Sequence, residues 1–153
     1  MKAASISNSK NEKTVRELYR TAEVKDTKAF ISLFTEDGYF WDVSAGVKYY
    51  GQDIGKTVDI YARAFPDMHR ELHSFYVVGD TVVVELALQG THKGALELPI
   101  GIIPPTGKMM NAPCCDVFQL TNGKITSFNC YPSGTVVLTQ LGVLQKLEAV
   151  LAR

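Results

Sequence analysis

The chain has 153 residues, of which 46% are hydrophobic and 21% charged, which suits one globular domain and leaves too little sequence for two. Sixteen basic and sixteen acidic residues cancel to a formal net charge of zero, so the basic excess of nucleic-acid-binding proteins is absent. The longest apolar stretches fall short of the ~20 residues that a membrane span needs, and residues 1–11 contain no apolar signal segment. We therefore expect a cytoplasmic protein that binds neither nucleic acid nor membrane, with a disordered tail over 1–9 and one domain over 10–153.

The three cysteines, Cys114, Cys115 and Cys130, are too few and too irregularly spaced for a disulfide framework or a zinc site. We expect reduced, partly buried thiols.

Capping residues and helical spacing of apolar residues dominate the first part of the chain. Ser9 and Glu12 form a capping-box pattern, and apolar residues then recur every three or four positions. In chain order, this part is predicted to contain a helix over 9–24, a short helix capped by Asp26 with Phe34 on its inner face, a strand over 39–43, and a helix from Asp53 to Phe65.

After Pro66 the apolar pattern changes to the alternation typical of strands. Gly79-Asp80 and Asn122-Gly123 are hairpin-turn signals. The remaining prediction is two strands over 68–78 and 81–91, a loop over 97–107, a strand over 108–120, a strand ending near 131, and a helix capped by Ser133 whose apolar stripe extends through Leu147 to Val150. Helices gathered beside an antiparallel meander indicate an α+β fold.

Several segments together resemble one family: Phe65-Pro66-Asp67, Gly90–Gly94 followed by Pro105–Lys108, Asp116–Leu120 leading to Asn122–Ile125, and Gln140-Leu141-Gly142. Over about residues 12–145, the chain resembles SnoaL-like polyketide cyclases of the nuclear-transport-factor-two-like superfamily. The resemblance implies a cone-shaped fold in which a curved antiparallel sheet and helices enclose a pocket. It also implies cofactor-independent acid–base chemistry, commonly in a homodimer.

The chain departs from this family near the end of its last strand. The family usually has a catalytic aspartate there, but this sequence has Cys130 and Ser133 at the corresponding positions. A serine cannot act as a carboxylate base, so the ring closure of the cyclases loses its usual catalyst here.

Ketosteroid isomerases share the superfamily fold and use two carboxyl groups. The resemblance places their general base at Asp42 and their proton-donating acid at Asp116. Their oxyanion tyrosine falls at Leu18 or Tyr19.

Asp116 lies within an apolar run, and strand alternation puts Cys114, Phe118 and Leu120 on its face. If that face lines a pocket, desolvation raises the pKa of the carboxyl and makes it a candidate acid or hydrogen-bond donor. The alternative is a buried aspartate that only satisfies structural partners.

Asp42 and His92 are the other candidate catalytic residues. A carboxylate or an imidazole at either position can accept a proton. The alternatives are a strand-end aspartate that caps a turn and a histidine on the surface.

Further side chains are expected to line the pocket and contact a substrate, although each could simply pack in the core. They are Trp41, Tyr19, Tyr39, Cys114, Phe118 and Tyr131.

His69, Glu71 and His73 share one face of a strand, which is a possible ligand spacing for a metal. Alternating polar residues on a solvated sheet face give the same pattern, so we expect neither a metal site nor a cofactor.

Within the loop over 97–107, four large aliphatic residues are unusual for an exposed segment: Leu98, Ile100, Ile102 and Ile103. We expect this loop to cover the pocket mouth or to pack against a partner subunit.

These features favour an enzyme that acts on a hydrophobic, carbonyl-bearing small molecule by cyclisation or isomerisation. Asp116 would donate to an oxyanion or move the proton, with Asp42 or His92 as the base. The alternatives are a non-catalytic binding protein for a lipophilic small molecule and a structural dimerisation domain with a filled core.

Overall fold

The computed structural model describes the backbone of residues 2–144 and the side chains from Lys10 onward. The elements in chain order are α1 (Lys2–Glu23), α2 (Thr27–Ser32), β1 (Phe34–Asp42), β2 (Val47–Tyr50), a 3₁₀ helix (Gly51–Gly55), α3 (Lys56–Ala64), β3 (His69–Val78), β4 (Thr81–Thr91), β5 (Leu96–Leu98), β6 (Gly101–Ile103), β7 (Met109–Thr121), β8 (Lys124–Pro132) and α4 (Gly134–Gln140). The predicted α+β class is confirmed.

A six-stranded sheet in the order β2-β1-β8-β7-β4-β3 forms the main layer. The meander β3-β4-β7-β8 is antiparallel, as expected, whereas β1 pairs with β8 in parallel. The sheet is therefore mostly antiparallel, and the parallel pair brings the end of β1 beside the end of β8. Register shifts in β1, β3 and β8 mark bulges, which bend strands and help the sheet to curve.

Local sequence explains several element ends. The Asp26 side chain accepts a 3.0 Å hydrogen bond from the backbone N–H of Ala29, which caps α2 as predicted. Asn122 and Gly123 have φ values of 51° and 73°, which is the backbone geometry that a type I′ hairpin between β7 and β8 requires.

The core lies between the sheet and the helices. The buried face of α1 carries Val15, Leu18, Tyr19 and Ala22, and this helix packs against β3, β4 and β8. Because these residues recur at helical spacing, one stripe of α1 is buried and the opposite side remains exposed. None of the described helices is both long and apolar enough to cross a lipid bilayer.

The N-terminal boundaries differ from those expected. α1 begins at Lys2 rather than near Ser9, so the backbone of residues 2–9, expected as a disordered tail, continues the helix. Phe34 belongs to the start of β1 rather than to α2. Asp53 lies inside the 3₁₀ helix and pairs with Lys56, so it does not cap α3.

Two further elements were missed because they are short. β2 pairs with the end of β1, and the segment expected as a loop over 97–107 instead contains the hairpin β5–β6. Ser133 occupies the N-cap position of α4 but makes no capping hydrogen bond through its side chain. The expected helical positions Leu147 and Val150 lie outside the described residues.

Candidate active site

A cavity opens between the concave side of the sheet and the layer formed by α1, α2 and α3, with β5 at its border. Its space measures about 820 Å³ when the open solvent at its mouth is counted, and about 70 Å³ of it is available to the centres of water-sized molecules. The wall is largely apolar, which suits a hydrophobic small molecule. The polar side chains of this wall that could take part in binding or proton transfer include Tyr19, Asp42, Tyr61, Arg70, Asp116 and Cys130.

The register of three neighbouring strands brings two carboxyl groups to the cavity. Asp42 on β1 pairs with Cys130 on β8, and Cys130 pairs with Asp116 on β7. Paired residues point to the same side of a sheet, and strands lie about 4.8 Å apart, so the Cα atoms of the two aspartates are about 10 Å apart. Cys130 therefore stands between the two carboxyl groups.

Asp42, Cys130 and Asp116 form a row across the three strands, which we call the carboxyl row. Asp116 is its more deeply buried acid, at 2% exposure. Alternation along β7 places it on the inner face with Cys114 and Phe118, as the sequence predicts. Its Oδ2 accepts a 2.6 Å hydrogen bond from the Tyr19 hydroxyl, and its Oδ1 accepts one from the Cys114 thiol at 3.4 Å. The carboxyl is therefore held in place by a helix and by its own strand.

Burial raises the pKa of Asp116 to about 6, and hydrogen bonds from Tyr19, Cys130 and Cys114 limit that rise. A carboxyl with a pKa close to neutrality can both accept and return a proton under physiological conditions. Burial, with the nearby Asp116 charge, also raises the pKa of Tyr19 well above its ordinary value. Tyr19 consequently remains a hydrogen-bond donor across the working pH range.

The Sγ atoms of Cys114 and Cys130 lie 3.8 Å apart, and both cysteines are free thiols. The adjacent thiol and burial raise the pKa of Cys130 well above its ordinary value, and the pKa of Cys114 is also raised. Both side chains are therefore neutral hydrogen-bond donors beside Asp116 rather than nucleophiles. Cys130 cannot replace the missing family aspartate as a base.

Asp42 combines the two roles that the sequence left open. Its Oδ1 accepts a 3.1 Å hydrogen bond from the backbone N–H of Ala45, so it caps the turn after β1. It also lines the cavity, and burial raises its pKa against the effect of the backbone N–H groups of Ala45 and Ser44. Asp42 is thus a second carboxyl of the wall, less buried than Asp116. The third, Glu97, is half-exposed at the border and pairs with Arg63.

Tyr61 and Arg70 also line the cavity, although neither was expected there from the sequence. Tyr61 belongs to α3, and burial raises the pKa of its hydroxyl. Arg70 lies on the inner face of β3, between Met68 and Leu72. In the sequence, Arg70 alternates in step with Met68 and Leu72, which predicts that it shares their face of the strand. The same pattern identified Asp116.

Several residues expected to line the pocket do not. Tyr39 and Trp41 lie on the opposite face of β1 from Phe40 and Asp42, and the Lys48 ammonium group lies 4.8 and 5.0 Å from their ring centroids. Tyr131 is 43% exposed and borders a separate surface depression with Ser133.

Two other residues expected in the lining stand behind it. Cys114 is buried behind the wall and reaches the site through its hydrogen bond to Asp116. Phe118 packs edge-on against Tyr19, at a centroid distance of 6.1 Å. Of the expected lining residues, Tyr19 alone belongs to the cavity wall among the described residues.

His92 is neither a surface residue nor part of the cavity wall. It is fully buried beneath the segment before β7, where its Nδ1 accepts a 3.2 Å hydrogen bond from the backbone N–H of Thr106. Its ring packs on Phe65 at 5.3 Å, and burial lowers the pKa of the imidazole. This location separates His92 from the carboxyl row, so its expected role as a base has no geometric support.

His69, Glu71 and His73 lie on the exposed face of β3, and His69 bonds to the carboxylates of Glu23 and Glu71. Within the described residues, the side chains that bring three ligand atoms close together are instead Cys114, Asp116 and Cys130, within 4.8 Å of one another.

Comparison with solved structures shows the same fold at low sequence identity. A proposed SnoaL-like polyketide cyclase from Jannaschia sp. CCS1 is 20% identical, with a TM-score of 0.76 over 87% of this chain and 92% of that chain. IdmH, a proposed polyketide cyclase from Streptomyces antibioticus, is 21% identical, with a TM-score of 0.72 over 87% and 99% of the two chains.

A third structure is a hypothetical protein with a ketosteroid isomerase-like fold from Catenulispora acidiphila, in complex with trimethylamine. It is 23% identical, with a TM-score of 0.71 over 85% of this chain and 92% of that chain. No curated protein sequence matches the chain.

The family comparison covers most of the chain. The model of the SnoaL-like domain matches residues 15–128, from the buried face of α1 to the middle of β8. The fold, the cavity and this match agree, and the chain belongs to the SnoaL-like domain family.

Proposed function

We propose that this protein is a cofactor-independent acid–base enzyme that acts on a hydrophobic small molecule carrying a carbonyl group. The observation that supports this function is the Tyr19–Asp116 pair, a hydrogen-bonded acid with a pKa of about 6 in the wall of an apolar cavity. Perturbed carboxyl groups in such cavities are typical of general acid–base sites.

In the proposed reaction, ionised Asp116 removes a proton from the carbon next to the carbonyl. The resulting enolate carries its charge on oxygen. Once Asp116 is protonated, Tyr19 no longer faces a carboxylate acceptor, and its hydroxyl can donate to the enolate oxygen. Asp116 then returns the proton to another carbon of the conjugated system, which is isomerisation. In cyclisation the enolate carbon instead bonds to a second carbonyl carbon of the same molecule, and Asp116 gives its proton to the alkoxide that forms. Asp42 is the alternative base at the far end of the row.

Deuterium exchange provides a direct test, because it detects proton abstraction without knowledge of the natural substrate. We expect the protein to accelerate the exchange of the α-protons of 2-tetralone in D₂O, followed by NMR. Asp116→Asn should lower this rate about 100-fold or more, whereas the exposed control Asp53→Asn should not. Full exchange activity in folded Asp116→Asn would disprove the assignment.

A binding protein for a lipophilic molecule is the second candidate function. It is favoured by the fact that both oxygens of Asp116 already accept hydrogen bonds from the protein. A chain that binds 2-tetralone and leaves its exchange rate at the buffer value would be a carrier. The open cavity disfavours the third candidate, a dimerisation domain with a filled core.

We also propose that the chain forms a homodimer. The hairpin β5–β6 presents Ile100 and Ile102 at 93% and 65% exposure, which is unusual for large aliphatic residues on a monomer surface.

A further inference from the structure

Arg70 is the cationic side chain of the cavity wall among the described residues. Its side chain is only 12% exposed, so most of its surface is covered by the protein. A buried guanidinium normally has carboxylate or carbonyl partners, because its five N–H donors are costly to leave without acceptors. If the protein does not supply acceptors for the N–H groups of Arg70, a bound ligand can supply them.

Glu23 is the acidic residue nearest to this guanidinium, but its carboxylate is engaged elsewhere. Its Oε1 accepts a 2.7 Å hydrogen bond from the backbone N–H of Arg70, and its Oε2 lies 3.1 Å from Nδ1 of His69. The distance from Oε1 to Nη1 of Arg70 is 3.9 Å, which is too long for a hydrogen bond. Within the described residues, the Arg70 guanidinium makes no side-chain hydrogen bond.

Arg70 and Asp116 lie in different parts of the wall. Arg70 is on β3 and pairs with Leu88 on β4. Asp116 is on β7, on the other side of β4, and pairs with Val84. The Arg70 charge nevertheless reaches both Asp116 and Tyr61, where it offsets a small part of the rise in pKa that burial causes. A single molecule in the cavity can therefore contact the guanidinium at one end and the carboxyl at the other.

We propose, on the basis of the proposed function, that the molecule bound in this cavity carries a carboxylate and that Arg70 binds it. The apolar wall contacts the hydrophobic body of the molecule, and its carbonyl group faces Tyr19 and Asp116. A planar guanidinium suits a carboxylate because two parallel N–H donors match its two oxygens. The substrate class is thus a hydrophobic keto acid rather than a neutral ketone.

A matched pair of probes tests this assignment by binding alone. 2-Naphthoate and 2-naphthamide have nearly the same size and shape but differ in charge, and their affinities can be measured at pH 7 by calorimetry. We expect the protein to prefer the carboxylate about tenfold or more. Arg70→Gln should abolish that preference and leave amide affinity unchanged, which also shows that the pocket remains folded.

Three further variants sharpen the test. Arg70→Lys should keep part of the preference, because it retains the charge but not the paired donors. Glu23→Gln should increase the preference, because it removes the nearest competing carboxylate. Arg20→Gln is the matched control and should change nothing, since Arg20 is an exposed arginine of α1 that pairs with Glu17 and is not part of the cavity wall.

Equal affinity for the two probes, no binding of either, or a preference that survives in Arg70→Gln would overturn the proposal. These results are distinguishable from failure of the proposed function. A carboxylate preference without α-proton exchange would remove the catalytic role and keep the Arg70 site. Exchange that depends on Asp116, with no preference for the carboxylate probe, would keep the catalytic role and remove the Arg70 site.

Discussion

The Tyr19 hydroxyl donates a 2.6 Å hydrogen bond to Oδ2 of Asp116, across 97 residues of sequence. It joins the first helix to the centre of the sheet inside an apolar cavity. Tyr19 is itself fixed by edge-on contacts with Phe75 and Phe118, so the donor is held toward the carboxyl. The bond stabilises the ionised form of Asp116 against the desolvation that burial imposes.

Tyr19→Phe should therefore raise the pKa of Asp116 above its value of about 6. The ionised base would then be less populated near neutrality, and the rising limb of the pH–rate profile for α-proton exchange should move about one pH unit upward. Measurement of exchange between pH 5 and 9 checks this shift. Tyr76→Phe, at a half-exposed tyrosine of β3, is the control. An unchanged profile in Tyr19→Phe would show that the bond does not tune Asp116.

Asp116 should also make the protein less stable as the pH rises. Its pKa is about 6 in the folded state and 3.8 for an ordinary aspartate, so the folded chain holds the proton more tightly than the unfolded chain. The free energy of unfolding should then fall between about pH 4 and pH 6, and remain lower above that range.

Asp116→Asn removes this titration. By linkage, the free energy of unfolding of the variant should exceed that of the parent protein by up to about 3 kcal/mol at pH 7. This difference should shrink as the pH falls toward 4. Urea unfolding at pH 4, 5, 6 and 7 measures it. A gap between the two proteins that does not vary with pH would contradict the raised pKa.

Two adjacent cysteines offer a matched pair of substitutions. Cys114→Ala removes the thiol that donates to Oδ1 of Asp116, whereas the side chain of Cys115 lies on the opposite face of β7. We expect Cys114→Ala to raise the pKa of Asp116 and to move the exchange profile upward, by less than Tyr19→Phe does. Cys115→Ala should leave the profile in place. Equal effects of the two substitutions would point to a general loss of stability instead.

His92→Gln should lower stability and leave the chemistry unchanged. The imidazole is buried against Phe65 and accepts a hydrogen bond from the Thr106 backbone, so its replacement should reduce the free energy of unfolding by about 1–3 kcal/mol. The α-proton exchange rate should stay within about twofold, because His92 lies outside the cavity wall. A loss of exchange of 100-fold in the folded variant would restore His92 as a catalytic residue.

The sequence predicts the buried or exposed face of a residue correctly where its apolar neighbours repeat with the period of a strand or a helix. Alternation along β7 put Asp116 on the inner face, and helical spacing in α1 put Tyr19 toward the sheet. Trp41 and Tyr39 were misplaced because aromatic character identifies a strand but does not determine which face is buried. The parallel pairing of β1 with β8 settles that face, and it depends on contacts between distant parts of the chain.

His92 and Arg70 show two other limits. The end of a strand is usually exposed, but His92 is covered by the segment that contains Thr106, which no local pattern predicts. Arg70 alternates with the exposed His69 and Glu71, so the sequence places its side chain on the inner face of β3 but does not show that this face lines a cavity. Its inward side chain becomes meaningful only once the cavity and the position of Glu23 are known.

The hairpin β5–β6 gives a final prediction that links the cavity to assembly. Leu98 and Pro99 line the cavity, whereas Ile100 and Ile102 are exposed and are not part of its wall. Ile100 borders an adjoining depression that shares Leu98 and Pro99 with the cavity mouth. If the exposed pair forms the contact between two copies, Ile100→Ser with Ile102→Ser should convert a dimer to a monomer in light scattering. The affinity for 2-naphthoate should change little, since these two side chains lie outside the main cavity.

Val78→Ser is the control for this experiment, because Val78 is also an exposed aliphatic residue, at the turn between β3 and β4. It should leave the dimer intact. A parent protein that is monomeric at high micromolar concentration, or a double variant that stays dimeric, would rule out the hairpin as the contact. Deletion of residues 100–103 should weaken ligand binding in addition, because it displaces Leu98 and Pro99 from the cavity mouth.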